Sequence, residues 1–362
     1  MMNIIFLVAI ILAFVMTWFL MPIVIKYAVK RSIIDQPNER KIHEGNIPRI
    51  GGVVFVPIAL FLSLVALFPV LIQFIPIDVR INFALQILAI LLLFVVGCID
   101  DIKGLRYRNK FIAQFISGVL LCCSDLYITN LHGVFGIYEI PEMCGWAITV
   151  FAVIYCTNAF NFIDGVDGQA ALLAITAFVY YGFVLMSGSG IIYIPICVIM
   201  IVCLMVYLRY NVWGNPENQT KTFMGDAGSL SLGCLILILG CVVNSTNVID
   251  ESQGVNVFIK AFAPLFLPCL DVVRVVIHRS REGRNLFEAD KNHIHHKLLA
   301  YGWSPNKVSM SVCVMNVVII LLSIVMARYL NCNIVIIVLL ALWTALNMWL
   351  TKSIMKNKRT MI

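Results

Sequence analysis

The sequence predicts an all-α, polytopic integral membrane protein of about eleven transmembrane helices, and three observations carry that reading. Hydrophobic residues fill 61% of the 362 positions, and charged residues only 12%. Mean hydropathy is +0.95, beyond what a soluble domain of this size sustains. The apolar residues also fall in runs of about 17 to 23, long enough to cross a hydrocarbon core as helices.

In order, the expected spans are approximately 3 to 22, 51 to 71, 83 to 99, 111 to 124, 145 to 161, 170 to 187, 191 to 208, 229 to 243, 256 to 277, 308 to 327 and 333 to 351. The first has no Lys or Arg ahead of its apolar run and no small-residue cleavage pattern, so it reads as a retained span and not a removable signal peptide. The fourth and eighth are short. The ninth holds Pro264, Pro268 and Asp271, which marks it as a candidate for a break or a tilt. With the amino terminus outside, only Arg80, Lys260 and Arg328 of the 26 basic residues fall near the outer face. The positive-inside tendency therefore puts the amino terminus outside and the carboxyl terminus, Lys352 to Ile362, in the cytoplasm. No repeat or low-complexity linker divides the chain, so residues 1–352 read as a single membrane domain and 353–362 as a short basic tail. The twelve cysteines are scattered, without a C-x-x-C pair, and indicate neither a disulfide framework nor a zinc site. The net charge of +7 is distributed as lipid headgroups and an anionic substrate would require, and nucleic acid is not an expected partner. Asn244-Ser-Thr matches a glycosylation sequon, a match too short to carry weight.

This topology creates five inner loops, and nearly all the unusual polar clusters lie in them. Asn158 to Gly168 reads Asn-Ala-Phe-Asn-Phe-Ile-Asp-Gly-Val-Asp-Gly between two apolar runs. A helix cap and a turn explain one Asp and one Gly there, but not four polar side chains with two glycines. Ionisable groups at membrane depth are usually functional. Carboxylates suit a hard cation such as Mg2+. In the loop from Asp100, the adjacent acids Asp100 and Asp101 are followed by Lys103, Arg106, Arg108 and Lys110. A positive-inside flank explains the cations but not the acids; neighbouring carboxylates suit proton abstraction or metal binding, and the cations can clamp phosphate oxygens.

Two further clusters close the set. Gly225-Asp226-Ala-Gly-Ser229 has the order of a helix start, which is also an anion site where an aspartate can hold Mg2+ against a diphosphate. The last long inner loop carries His278, Arg279, Arg281 and Arg284, then His293, His295, His296 and Lys297. Zinc-ligand spacing is lacking, so the histidines and arginines read as phosphate donors. The first loop, Asp35 through Gly52, with Arg40, Lys41, His43 and Arg49, divides evenly between a positive flank and a binding role. Carboxylates, cations and histidines converging on one boundary fit metal-assisted phosphoryl transfer from a soluble phosphate compound to a lipid phosphate. No Walker-type loop suggests ATP hydrolysis. A secondary transporter of an anionic or nucleotide-sugar substrate is the competing class; its acids would lie at mid-span, whereas these lie at span ends.

The motifs at Asp100 to Lys110, Asn158 to Gly168, Gly225 to Ser229 and His293 to Lys297 occur in the order seen in the polyprenyl-phosphate N-acetylhexosamine-1-phosphate transferases, a glycosyltransferase family that this chain resembles over about residues 30 to 300. The resemblance implies a Mg2+-dependent enzyme, with Mn2+ as substitute, in the bacterial cytoplasmic membrane. It would pass a sugar 1-phosphate from a UDP-sugar to undecaprenyl phosphate at the cytoplasmic face, release UMP and initiate an envelope polysaccharide such as O-antigen, lipopolysaccharide or teichoic acid. It implies Asp226 as the Mg2+ ligand with Asn161 assisting, and Asp100 as the acid that deprotonates the lipid phosphate, with Asp101 beside it. Lys110 would meet the diphosphate, while Asn158, Asp164 and Asp167 line the nucleotide pocket. His293, His295 and His296, with Arg279 and Arg281, would cover the donor phosphates. His-Ile-His-His-Lys resembles the N-acetylglucosamine branch, so UDP-N-acetylglucosamine is the expected donor. Direct attack is favoured over a covalent aspartyl intermediate because one metal and one base suffice. A homodimer is compatible with the sequence, which does not fix the oligomeric state.

Overall fold

A computed structural model describes residues 2–34, 47–186, 189–245, 255–283 and 292–360. Most of the first loop, including Asp35, Arg40, Lys41 and His43, lies outside the described residues, as do Arg284 and Asp290. The expected spans fall largely in helices, the ninth in two pieces, because a chain in hydrocarbon can satisfy its backbone only within itself. The helices are α1 (Met2–Lys30), α2 (Gly51–Phe74), α3 (Ile77–Lys103), α4 (Tyr107–Cys123), α5 (Glu142–Ile163), α6 (Gln169–Val184), α7 (Ile194–Asn211), α8 (Gly225–Asn244), α9 (Val257–Phe262), α10 (Phe266–Arg281), α11 (Ile294–Ala300), α12 (Pro305–Ala327) and α13 (Cys332–Thr360). Among the described residues, nine helical segments are long and apolar enough to cross a membrane, and Gln169–Val184 is a shorter apolar helix. The expected eleven is therefore not reached by length and composition alone.

The ninth span is broken. A 3-10 turn at Ala263–Leu265 separates α9 from α10. Pro264 has no N–H to offer the Lys260 carbonyl one turn back, and the Tyr180 hydroxyl donates to that oxygen instead, at 2.6 Å. The neighbouring Ala261 carbonyl accepts from Tyr181 at 2.7 Å.

The bundle is built around α8, which is buried continuously from Ala227 to Asn244. It packs chiefly against α3 and α5, then α2, α9 and α6. Close approach depends on small residues: a Cβ on Gly97 of α3 would lie 2.5 Å from the Ala227 backbone. Outward faces of α1 and α12 expose Ile4, Leu7, Ile11, Val318 and Leu321, the apolar surface that lipid covers.

The all-α expectation misses one element. Between α4 and α5, β1 (Asn130–Val134) and β2 (Ile137–Glu139) pair antiparallel as a hairpin. It is tied to the ends of α8, α9 and α13 through asparagines. Asn244 Nδ2 donates to the Asn130 carbonyl at 3.1 Å, Asn256 Nδ2 to the His132 carbonyl at 2.7 Å, and Asn333 Nδ2 to the Gly133 carbonyl at 2.9 Å. Asn244, the sequon asparagine, is only 2% exposed.

Candidate active site

At the opposite end of the bundle, the polar motifs of four segments meet. The chain reverses between α3 and α4 at Gly104, whose φ is +68°. Asp100 holds that turn by accepting the Leu105 N–H at 2.7 Å. The reversal brings Lys110, in the first turn of α4, back over the end of α3. Its Nζ lies 2.9 Å from Asp100 Oδ2 and 2.7 Å from Asp226 Oδ2. One ammonium thus joins carboxylates from α3 and α8.

Asp101 is placed differently from its neighbour. Successive residues on a helix point about 100° apart, so Asp101 faces α8 while Asp100 faces α4. Asp101 Oδ1 accepts the Asp226 N–H at 2.8 Å and Oδ2 the Ala227 N–H at 3.0 Å. It therefore caps α8 from another helix, satisfying donors that a helix start leaves unpaired. Gly225 is required at this junction: its φ is +75°, and a Cβ there would lie 2.5 Å from Asp101 Oδ2 and 2.7 Å from the Arg49 carbonyl. The segment containing Arg49 is laced to the α8 entry by Phe223 N–H donating to the Pro48 carbonyl and Gly52 N–H to the Met224 carbonyl, each at 2.9 Å.

The loop after α5 supplies the next wall. Asn161 Nδ2 donates to Asp226 Oδ1 at 3.0 Å and to Ser229 Oγ at 2.8 Å. Asn158 Nδ2 donates to Gln114 Oε1 at 2.9 Å. Asp167 Oδ2 pairs with Lys221 Nζ at 2.6 Å, while its Oδ1 is buried without a partner among the described residues. Burial, then the charges of Asp226 and Asp167, push the Asp164 carboxyl up to about 7, and the Arg49 guanidinium opposes them.

The histidine motif starts α11 beside this loop. The His293 ring lies 5.7 Å from Phe162 and stacks on His295 at 5.8 Å, and the His295 ring lies 4.2 Å from His296. His295 is 1% exposed, and its ring abuts Gly165 closely enough to exclude any Cβ there. Burial, followed by the charges of His296 and His293, holds the His295 imidazole well below its ordinary pKa, so it is neutral. The two arginines separate: Arg279 is buried in the last turn of α10, whereas Arg281 is exposed. Arg281 makes no contact with the acid cluster among the described residues.

Sequence reasoning passed over Lys221, Gln114 and Asp271 as members of the site, and left Arg49 evenly divided between a positive flank and a binding role. Of these, Arg49 was visible as a basic residue beside Gly51-Gly52, and Asp271 as an acid inside an apolar run. Among the described residues, no three His, Cys, Asp or Glu side chains are gathered as a ready-made metal site. Asp226 and Asp100 converge on Lys110 with all four oxygens hydrogen-bonded, so a hard cation there would take the place of a donor.

Fold and site together define a polytopic membrane protein whose acids, shared lysine and histidines gather at one end of the helices. A family model described as glycosyl transferase family 4 matches residues 83–244. A probable undecaprenyl-phosphate N-acetylglucosaminyl 1-phosphate transferase of Bacillus subtilis (strain 168) is 31% identical over 300 residues, covering 82% of this chain and 78% of the relative. The undecaprenyl-phosphate alpha-N-acetylglucosaminyl 1-phosphate transferase of Yersinia pestis is 29% identical over 283 residues, 77% of this chain and 73% of its own. That of Escherichia coli (strain K12) is 28% identical over 284 residues. The chain belongs to glycosyl transferase family 4. The comparisons give no support to the transporter reading, and Asp100, Asp101, Asp164, Asp167 and Asp226 lie at helix ends or in the loop after α5, while Asp271 lies inside a span.

Proposed function

We propose that this protein transfers N-acetylglucosamine 1-phosphate from UDP-N-acetylglucosamine to undecaprenyl phosphate. A lipid-phosphate oxygen forms a bond to the sugar-bearing phosphorus, the bond from that phosphorus to the bridging oxygen breaks, and UMP leaves. The observation that carries the proposal is Lys110 bridging Asp100 and Asp226 at 2.9 and 2.7 Å. A cation shared by two carboxylates is poised to hold a phosphate oxygen as charge moves toward the leaving group. Asp100 takes the proton of the lipid phosphate. Asn161 orients Asp226 by donating to its other oxygen.

A carboxylate oxygen beside the substrate phosphates matches what Mg2+ takes from a protein. We assign the ion to Asp226, which leaves Asp100 as the base; when bound, it supplies charge neutralisation on the diphosphate. Asn161 is an orienting group in this reading, because its amide nitrogen, not its oxygen, faces Asp226. The basic residues flanking this end of the bundle support a cytoplasmic placement of the site, where a soluble nucleotide sugar is at hand.

The test is to incubate the purified protein with labelled UDP-N-acetylglucosamine, undecaprenyl phosphate and Mg2+. UMP should appear in step with a lipid-linked sugar diphosphate, and chelation of the metal should stop both. Absence of UMP with every UDP-N-acetylhexosamine tried would end the enzyme reading; faster UMP release from another hexosamine would reassign the donor.

A further inference from the structure

A buried aspartate behind the histidine motif has no place in the transfer scheme so far. Asp271, in the first half of α10, is 1% exposed. Its Oδ2 lies 2.8 Å from His293 Nδ1. Both of its oxygens also accept the Ile294 N–H, at 3.2 and 3.3 Å. Arg274 Nη2 donates to Oδ1 at 3.1 Å and also to the Asn292 carbonyl. The carboxylate therefore fixes the ring and the backbone after His293, and Arg274, bound to the same carboxylate, holds the carbonyl before it.

The chemical consequence concerns the ring nitrogens. A carboxylate only accepts, so Nδ1 must carry the hydrogen in this pair, and Nε2 is the nitrogen left for a ligand. Among the described residues Nε2 has no protein partner. The ring cannot tilt freely, because Phe162 flanks it on one side and His295 on the other. We propose that Asp271 is a positioning residue for the transfer reaction, acting through His293 Nδ1 so that Nε2 faces the nucleotide-sugar donor as a hydrogen-bond acceptor for one of its hydroxyl or amide N–H groups. This rests on the transferase reading above.

Substituting Asp271→Asn tests it, because an amide nitrogen turned toward Nδ1 would favour the opposite tautomer, while the shape of the side chain is kept. We expect donor kcat/KM to fall on the order of 10- to 100-fold, as when carboxylates behind functional histidines are removed. The KM for the lipid phosphate should stay as in the parent. In a His293→Gln background, Asp271→Asn should add nothing, since the group it acts through is already gone. Parental donor kcat/KM, a changed lipid KM, or equal losses in both backgrounds would overturn the proposal. If Asp271→Asn does not fold, His293→Asn decides, because an Asn amide nitrogen stands where Nδ1 was and nothing replaces Nε2. A folded protein with transfer lost is expected, and parental transfer would refute the assignment. A parent that releases no UMP under any condition refutes the transferase reading itself, which separates the two failures.

Discussion

The two ends of this bundle are both buried and polar, yet they are built from different chemistry. The hairpin end is neutral: Asn130, Asn244, Asn256 and Asn333 exchange hydrogen bonds with backbone groups. The α3–α4–α8 end is ionic, with Lys110 between Asp100 and Asp226, Lys221 on Asp167, and Arg274 and His293 on Asp271. A neutral amide pairs with a carbonyl and is finished, whereas an ion pair keeps charge that a phosphate or a metal can compete for. Burial of polar groups therefore marks both a clasp and a site, and formal charge separates them.

The sharpest way to break this contrast is at Lys110. Lys110→Met should lower transfer about 10³-fold with the fold intact, the scale of losing a preorganised charge at a reacting phosphate; UMP release by the purified variant measures it, and a parental rate would erase the distinction. Asp226→Ala should match it. Asp101→Asn comes next. It keeps one acceptor of two for the α8 N–H groups, so the melting temperature should fall by the equivalent of about 1 kcal/mol, as a damaged cap does, and transfer should fall less than for Asp226→Ala. At the neutral end, Asn256→Ala removes a cap on Ile259 and the donor to His132. It should cost about 1–2 kcal/mol in a melting measurement and leave kcat within about twofold.

A pH comparison is the smallest test. The Asp164 carboxyl binds its proton more tightly folded, at about 7, than its ordinary value of 3.8. Folding is then unhindered by this group below about pH 4, and loses stability as pH rises through 7, because the folded state holds the extra proton. In metal-free buffer, Asp164→Asn should raise the melting temperature at pH 8 and leave it unchanged at pH 4. An equal shift at both values would show that its charge is not what the site tolerates.

The spans were legible in the sequence because lipid demands long apolar runs, and the four site motifs because charged residues at span ends have few structural explanations. The separate tasks of Asp100 and Asp101 were not. Adjacent acids suggest a repelling pair, but helical geometry turns one toward Lys110 and the other toward the start of α8. Nor was Lys221 readable as the partner of Asp167, since 54 residues separate them and their loops are joined through packing of α7 on α6 and the hydrogen bonds of Asn211 to Gly168, Lys221 and Thr222. The hairpin escaped notice because its strands, five and three residues long, are held by asparagines contributed from distant helices and not by a strand pattern of their own.

The continuous burial of α8 has a consequence for how the protein meets its membrane. The helix carrying Asp226 touches protein on every side, so a change in bilayer thickness or lipid composition reaches it only after other helices have moved. Those helices can tilt to match the hydrocarbon while the axle they surround keeps its depth. The same arrangement sets a condition on biogenesis: α8 gains its final neighbours only when α2, α3, α5 and α9 have closed around it, so the acidic end is completed by assembly of the bundle and not by insertion of any single span.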